Sequence, residues 1–457
     1  MKTRSNTTVI DPTKGSILRG VIAFAIPVML TSMLQMLLTT IDSFVIGRFC
    51  GSDALAAMGC ATPIVSLLVN ILLGISTGAA VCTAQALGSK NEREVHETVH
   101  TAMLVSLISG ALFCVIGILL SRYALIWTDC PDEVFAGAHT YLWIYLLGIP
   151  FSMFFNFGAA ILRASGDTKT PLYYMTTSGI INVCLNLFFV IVLHWNIAGV
   201  AIATIISQFI SSILVLKRLS SADGAIKLEI KKMKIYKQRL LRILRIGVPS
   251  AIQTSCFCFS NIVIQSSINS LGTAVVVGTT AAGNYEAFIA VAMNAFAQTA
   301  ITFVAQNLGA KQPKRITKAV LVCCLCGTTV SIVLNALQLI FREPLLSVFI
   351  VDNEEAIRQG IIKMFATCPL HFVCGILDVF MGANQGLGVS VSPTIIQLAG
   401  TCGLRLVWVA TVFKHAVENR AFTLFIIYPI TWTVTLFATM TLFFYMKKKI
   451  VKQTLGD

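Results

Sequence analysis

Charged residues are few in this sequence: 12% of its 457 residues are Asp, Glu, Lys or Arg, about half the share found in soluble domains. That excludes a water-soluble fold, which would need far more charge to cover its surface. Acidic residues are rarer still, 20 against 34 Lys plus Arg, and histidines number only 6. No constellation of His, Asp and Glu inside the apolar segments suggests catalytic chemistry. The 14 cysteines include no pair of CxxC motifs and no His partner at metal spacing. They read as small apolar packing residues, the cluster Cys323, Cys324 and Cys326 included. Long polar loops that could hold a catalytic domain are missing too, so no enzyme, cofactor or structural metal is expected.

What is abundant is apolar. Such residues make up 56% of the chain, and mean hydropathy is +0.82. A helix crossing a bilayer needs about 20 mostly apolar residues. Twelve runs of that kind occur, at 20–47, 60–86, 98–120, 138–162, 171–193, 198–216, 246–270, 276–307, 317–341, 357–382, 393–413 and 422–446. The pattern predicts an all-α polytopic membrane protein whose outer faces meet the lipid bilayer. The first sixteen residues are polar and hold Asp11, unlike a cleavable signal peptide, and read as a short cytoplasmic tail.

A net charge of +14 would suggest nucleic acid in a soluble protein, so the placement of Lys and Arg decides its meaning. Of the 34, 26 fall in the tail, in alternate loops and after the last run, ten of them between Lys217 and Arg245. The opposite loops and the adjoining edges of the runs, Lys363 among them, hold seven, and Arg405 lies deep within a run. Basic loops stay on the cytoplasmic side of a membrane. Both termini and the central loop are therefore expected in the cytoplasm, and no nucleic-acid partner is expected.

Three landmarks recur at a nearly constant separation. Pro27 corresponds to Pro249, an offset in numbering of 249 − 27 = 222. The segment Ala84-Gln85-Ala86-Leu87-Gly88-Ser89-Lys90 returns as Ala305-Gln306-Asn307-Leu308-Gly309-Ala310-Lys311, an offset smaller by one, and Gly166 and Pro171 return as Gly388 and Pro393 at the offset of the prolines. Each half holds six runs, so both enter from the same side, as two homologous six-helix bundles of the parallel transporter type. The expected division is residues 1–216, a basic linker at 217–242, and 243–457. In such repeats substrate binds near mid-membrane, between the halves, and access alternates as one rocks against the other. Pro27 and Pro249 interrupt their helices, each as a hinge or as a static bend.

Only three acidic residues fall inside the runs: Asp42, Glu286 and Asp378. A charge at the bilayer centre costs roughly 2.5–3.5 kcal/mol on insertion scales, and such residues mark ion pathways. Asn182 and Asn186 share one helical face, and Thr204 lies at a similar depth on the next helix. Carboxylate, amide and hydroxyl oxygens at one depth suit a small cation or a proton relay; hydrogen bonding between helices is the alternative. Glu286 and Arg405 both lie near mid-depth, and Arg405 is expected to pair with Glu286 or Asp378, either structurally or as a coupling site. Met33, Gln35 and Met36 on the first helix, with Phe154, Phe288 and Met293, suit promiscuous binding of aromatic cations, or plain packing.

Beside these readings, three stretches resemble the multidrug and toxic compound extrusion family. They are Ile26-Pro27 to Asp42-Ser43-Phe44-Val45-Ile46-Gly47-Arg48, the turn Arg163-Ala164-Ser165-Gly166-Asp167-Thr168-Lys169-Thr170-Pro171, and Gly283-Asn284-Tyr285-Glu286 leading to Met293-Asn294-Ala295-Phe296. The similarity runs from about residue 15 to 446, in the style of bacterial members. It implies an antiporter of the bacterial cytoplasmic membrane that expels small organic cations in exchange for Na⁺ or H⁺, with two lobes around a central cavity. It implies a cation site at Asp42, Asn182, Asn186 and Thr204, the one place where a metal ion, Na⁺, is expected. Asn186 is an amide where the family pattern has a second carboxylate, which should weaken cation binding. Glu286 and Asp378 are implied as second-lobe acids for coupling or substrate binding, and Arg405 and Asn294 join them as candidates. A monomer is expected. A lipid-linked saccharide flippase of the same superfamily is the alternative, although gripping pyrophosphate takes several cations and only Arg405 is counted deep within the runs. Applying the offset of the prolines to Asp42, Asn182 and Asn186 gives Ile264, Leu404 and Trp408, so the scaffold is expected to be twofold and the ion site is not.

Overall fold

The computed structural model describes residues 9–350, 353–416 and 419–455, without the side chains of 256–259, 262–263 and 454–455. Of the polar tail expected at 1–16, residues 1–8 lie outside the described residues. Every regular element among the described residues is helical. The first half comprises α1 (Ile17–Phe49), α2 (Ser52–Gly88), α3 (Glu92–Trp127), α4 (Asp132–Ala164), α5 (Lys169–Leu187) and α6 (Asn196–Ser220). Then follow α7 (Lys237–Asn269), α8 (Thr273–Gly309), α9 (Pro313–Ile340), α10 (Arg342–Ser347), α11 (Glu354–Thr367) and α12 (His371–Gly386). The chain ends with α13 (Val391–Gln397), α14 (Leu404–Trp408), α15 (Arg420–Phe425) and α16 (Ile427–Leu455). Eleven segments among the described residues are long and apolar enough to cross a membrane. α11 with α12 makes one of them (Glu354–Gly386), α13 with α14 another (Val391–Phe413), and α7 stands where the seventh run was expected. The architecture is all-α and polytopic, with two six-helix bundles.

The chain divides into two compact units: unit 1 is Met1–Asp11 with Leu30–Ala251, and unit 2 is Pro12–Met29 with Ile252–Asp457. Composition placed the division in the basic segment 217–242; by contacts it falls inside the two continuous helices α1 and α7. In each helix the change of unit comes two residues after a proline, past Pro27 at Met29 and past Pro249 at Ala251. Each of these helices has 33 residues, about 50 Å at 1.5 Å per residue, more than one bilayer crossing requires. The segment 217–242 is itself packed into unit 1. Leu228 is buried there, and the Glu229 and Tyr236 N–H groups donate to His100 Nε2 (3.0 Å) and Thr101 Oγ1 (3.1 Å) on α3.

Small residues set the closest approach in unit 1. A Cβ on Gly78 would lie 2.2 Å from Ile243 O and 2.9 Å from Gly247 N, and one on Gly74 2.3 Å from Ala251 Cα. Gly74 and Gly78 on α2 thus face Gly247 and Ala251 on α7, two small-xxx-small pairs that let the backbones touch. Close packing of this kind drives association in lipid, where burying apolar surface gains little. Ion pairs clamp the same stretch of α7: Arg239 reaches Glu94 (2.6 Å) and Glu97 (3.2 Å), and Arg242 reaches Glu94 (2.9 Å). In unit 2 the opening of α1 is held in a related way. Asn307 donates to Pro12 O (3.1 Å), Arg315 donates to the Pro12, Lys14 and Gly15 carbonyls at 3.0–3.1 Å, and Phe24 meets Phe303 edge to face.

The duplication read from the sequence extends to backbone irregularities. Left-handed residues pair across the halves: Gly51 (φ 93°) with Gly272 (φ 100°), Lys90 (56°) with Lys311 (55°), and Gly166 (91°) with Gly388 (83°). At Gly166 no side chain would fit in any case, because a Cβ would lie 2.0 Å from Ile10 O. The π-helical turn Phe188–Val192 that continues α5 has a counterpart at Val409–Phe413, at the offset that separates Lys90 from Lys311.

Candidate functional site

Three helices of unit 1 bring the sequence-predicted ion site together. α1 supplies Asp42, α5 supplies Asn182 and Asn186 one turn apart, and α6 supplies Thr204. Asn186 Nδ2 donates to Asp42 Oδ1 at 2.6 Å and lies 3.3 Å from Asn182 Oδ1; Asn182 Nδ2 in turn donates to Thr204 Oγ1 at 3.4 Å. All of them except Thr204 are buried, Asn186 completely. These two acceptors fix which way the Asn186 amide points, and they leave its carbonyl Oδ1 buried with no hydrogen-bond partner. An orphaned buried acceptor costs about 1–3 kcal/mol, a cost that a bound cation would offset. The π-helical turn begins two residues beyond Asn186, and such bulges are frequent at functional sites.

Two tyrosines that sequence reasoning missed stand beside this group. Tyr141 and Tyr145 on α4 stack with centroids 6.2 Å apart, both within electrostatic reach of Asp42, and Tyr145 lies beside Gln208 on α6. Their four-residue spacing on a helix already assigned to the membrane was the available signal. Of the other candidates in unit 1, Phe154 is buried, Met33 and Met36 are half-buried, and Gln35 is exposed.

In unit 2 the structure replaces the expected partner of Glu286. Arg405 does not pair with it; Lys363 does, with Nζ 3.1 Å from Glu286 Oε2. Lys363 was hidden in the sequence because it lies near the edge of its run and was counted among the loop charges. The spacing Lys363, Thr367, His371, one turn apart on α11 and α12, is the signal that could have revealed it. Arg405 is buried and stacks over the Tyr428 ring, 4.5 Å from its centroid, with Ser260 Oγ and Asn261 Oδ1 each 3.4 Å from its Nη1. Asp378 is half-buried and makes no ion pair among the described residues. Met293 is buried against Gly375, while Phe288 and Asn294 are exposed on α8. The structure thus gathers the first-half set into one site and scatters the second-half set.

A polytopic protein of two repeated six-helix halves, with a lone carboxylate among amides in the first, is in class a membrane transporter. The chain belongs to the MatE family, whose sequence model matches residues 27–188 and again 249–411, so that the two matches begin at the paired prolines, Pro27 and Pro249. It is 24% identical over 443 residues to the probable multidrug resistance protein YoeA of Bacillus subtilis, covering 95% of each chain. To the probable multidrug resistance protein YpnP of the same organism it is 29% identical over 306 residues, 67% of this chain and 68% of that one. Its fold matches, at a TM-score of 0.89 and 18% identity, an outward-facing conformation of a multidrug resistance MATE family transporter of the MOP superfamily, covering 98% of this chain and 100% of that one.

Proposed function

We propose that the protein is a secondary active exporter of small organic cations, driven by Na⁺ or H⁺ antiport at Asp42, with access alternating between its two halves. The observation that carries this reading is the Asp42 group, where one carboxylate and an unpartnered amide oxygen lie buried together. An ion arriving there cancels the Asp42 charge, and its departure restores it. A conformational equilibrium shifts only by the difference in ion affinity between its two states, and here that difference is assigned to Asp42. Pro27 and Pro249, two residues from the points where α1 and α7 change unit, are the proposed hinges. The likeness to proteins named for multidrug resistance supports drug-like cargo. A bacterial cytoplasmic membrane with both termini in the cytoplasm is part of the proposal, on the strength of the basic loops. The flippase reading has less support, because Lys363 is already held by Glu286.

The test uses inverted membrane vesicles and a panel of fluorescent cations, with Na⁺ and pH gradients imposed separately. Wild type should move dye under one of the two gradients, and Asp42→Asn should fall to the leak of vesicles without the protein. Undiminished transport by Asp42→Asn would sink the mechanism.

A further inference from the structure

We propose that the Lys363 ammonium is a tethered cation filling a monovalent-cation seat on α8, so that Glu286 carries its own counter-ion and this seat exchanges none with solution. Thr279, Gly283 and Glu286 lie at i, i+4 and i+7 on α8, hence on one face. In that order they offer a backbone carbonyl oxygen, a gap and a carboxylate. Lys363 Nζ sits in the gap: it donates to Thr279 O at 3.1 Å and lies 3.1 Å from Glu286 Oε2. A Cβ on Gly283 would stand 3.1 Å from the same nitrogen, so glycine leaves the ammonium its room. Thr367, one turn past Lys363, donates to Glu286 Oε1 at 2.6 Å and holds the carboxylate toward the seat.

Carbonyl and carboxylate oxygens are hard donors of the kind that bind alkali and alkaline-earth cations. The lysine head brings the same single charge on a stem it cannot leave. That stem comes from α11, whereas both oxygens belong to α8, so shortening the stem leaves the oxygens in place. The side chains of Lys363 and Glu286 are only 11% and 19% exposed. A carboxylate so enclosed is neutralised by a cation or by a proton; because the Thr279 carbonyl and the Glu286 carboxylate stay in place when the stem is shortened, Na⁺ is proposed to take the vacated position.

The inference goes beyond the exchange proposed at Asp42, and its test keeps the two apart. Bound Na⁺ is counted on the purified full-length protein by equilibrium dialysis of radiolabelled sodium, with choline holding ionic strength constant. The parents are wild type and Asp42→Asn. In either parent, Lys363→Ala should bind one more Na⁺ per chain, and adding Glu286→Gln should remove that increment. No increment, or one that survives Glu286→Gln, overturns the proposal. Glu286→Gln alone covers the case in which Lys363→Ala fails to fold. With Lys363 present it should leave the count at the parent's value, and a loss of one Na⁺ would show that Glu286 holds a solution cation despite the lysine. Whether Asp42→Asn lowers the count reports on the Asp42 exchange alone.

Discussion

Asn186→Asp is the sharpest probe of the first-half site. The amide nitrogen of Asn186 lies 2.6 Å from Asp42 Oδ1, so an aspartate there puts a second carboxylate where a donor used to be. With charge centres about 4 Å apart and an effective permittivity near 20, the repulsion is about 4 kcal/mol. A cation between the two carboxylates relieves it. If about a third of that energy appears as tighter cation binding, roughly 1.4 kcal/mol, the affinity rises about tenfold. The assay is thermal unfolding of detergent-purified protein titrated with NaCl, choline chloride keeping ionic strength fixed. The variant should be less stable than wild type without Na⁺, and should reach half its Na⁺-dependent gain at roughly a tenth of the wild-type concentration. Should the coupling ion be H⁺, the same relief is read at constant NaCl as stability, relative to wild type, that grows as pH falls. A variant whose stability responds to neither ion differently from wild type would refute the contact between Asn186 and Asp42 as the basis of the site.

Two further outcomes test the fold around that site. Gly78→Ala should destabilise unit 1 by about 1–3 kcal/mol through overpacking against Ile243 and Gly247, whereas Gly59→Ala on the same helix, with nothing within 4 Å of the added Cβ, should stabilise by up to about 1 kcal/mol; thermal unfolding of the two variants side by side checks the contrast. Arg315→Ala removes three donations to the Pro12, Lys14 and Gly15 carbonyls, so amide hydrogen exchange should quicken in residues 9–16 while sodium binding stays at the wild-type level.

The scaffold was legible because membrane helices and internal duplication leave marks that need no tertiary knowledge. Pro27 and Pro249 repeat in sequence, and Lys90 and Lys311 repeat both in sequence and in backbone conformation. Asp42, Asn182 and Asn186 were legible because buried polar side chains are costly in lipid and a four-residue spacing fixes a shared face. What stayed hidden was set by packing across helices. Lys363 reads as an end-of-run charge until α8 is placed beside it with Gly283 leaving the space. Arg405 reads as the natural partner of an acid, yet it lies against the face of Tyr428. The limits of the two units escaped composition altogether, because a continuous hydrogen-bonded helix shows no sequence break where its surroundings change.

That last feature bears on how such a chain could have arisen. Each bundle is completed by the opening turns of the helix that begins the other half, α7 for unit 1 and α1 for unit 2. A gene encoding one half would therefore yield a bundle lacking its closing piece, and two copies would have to trade those turns to be whole. An unduplicated chain with this topology would have to exchange those turns as a dimer, an arrangement that the present single chain makes covalent. The same logic governs dissection of the present protein: fragments cut between α6 and α7 should fold when produced together and fail when produced alone.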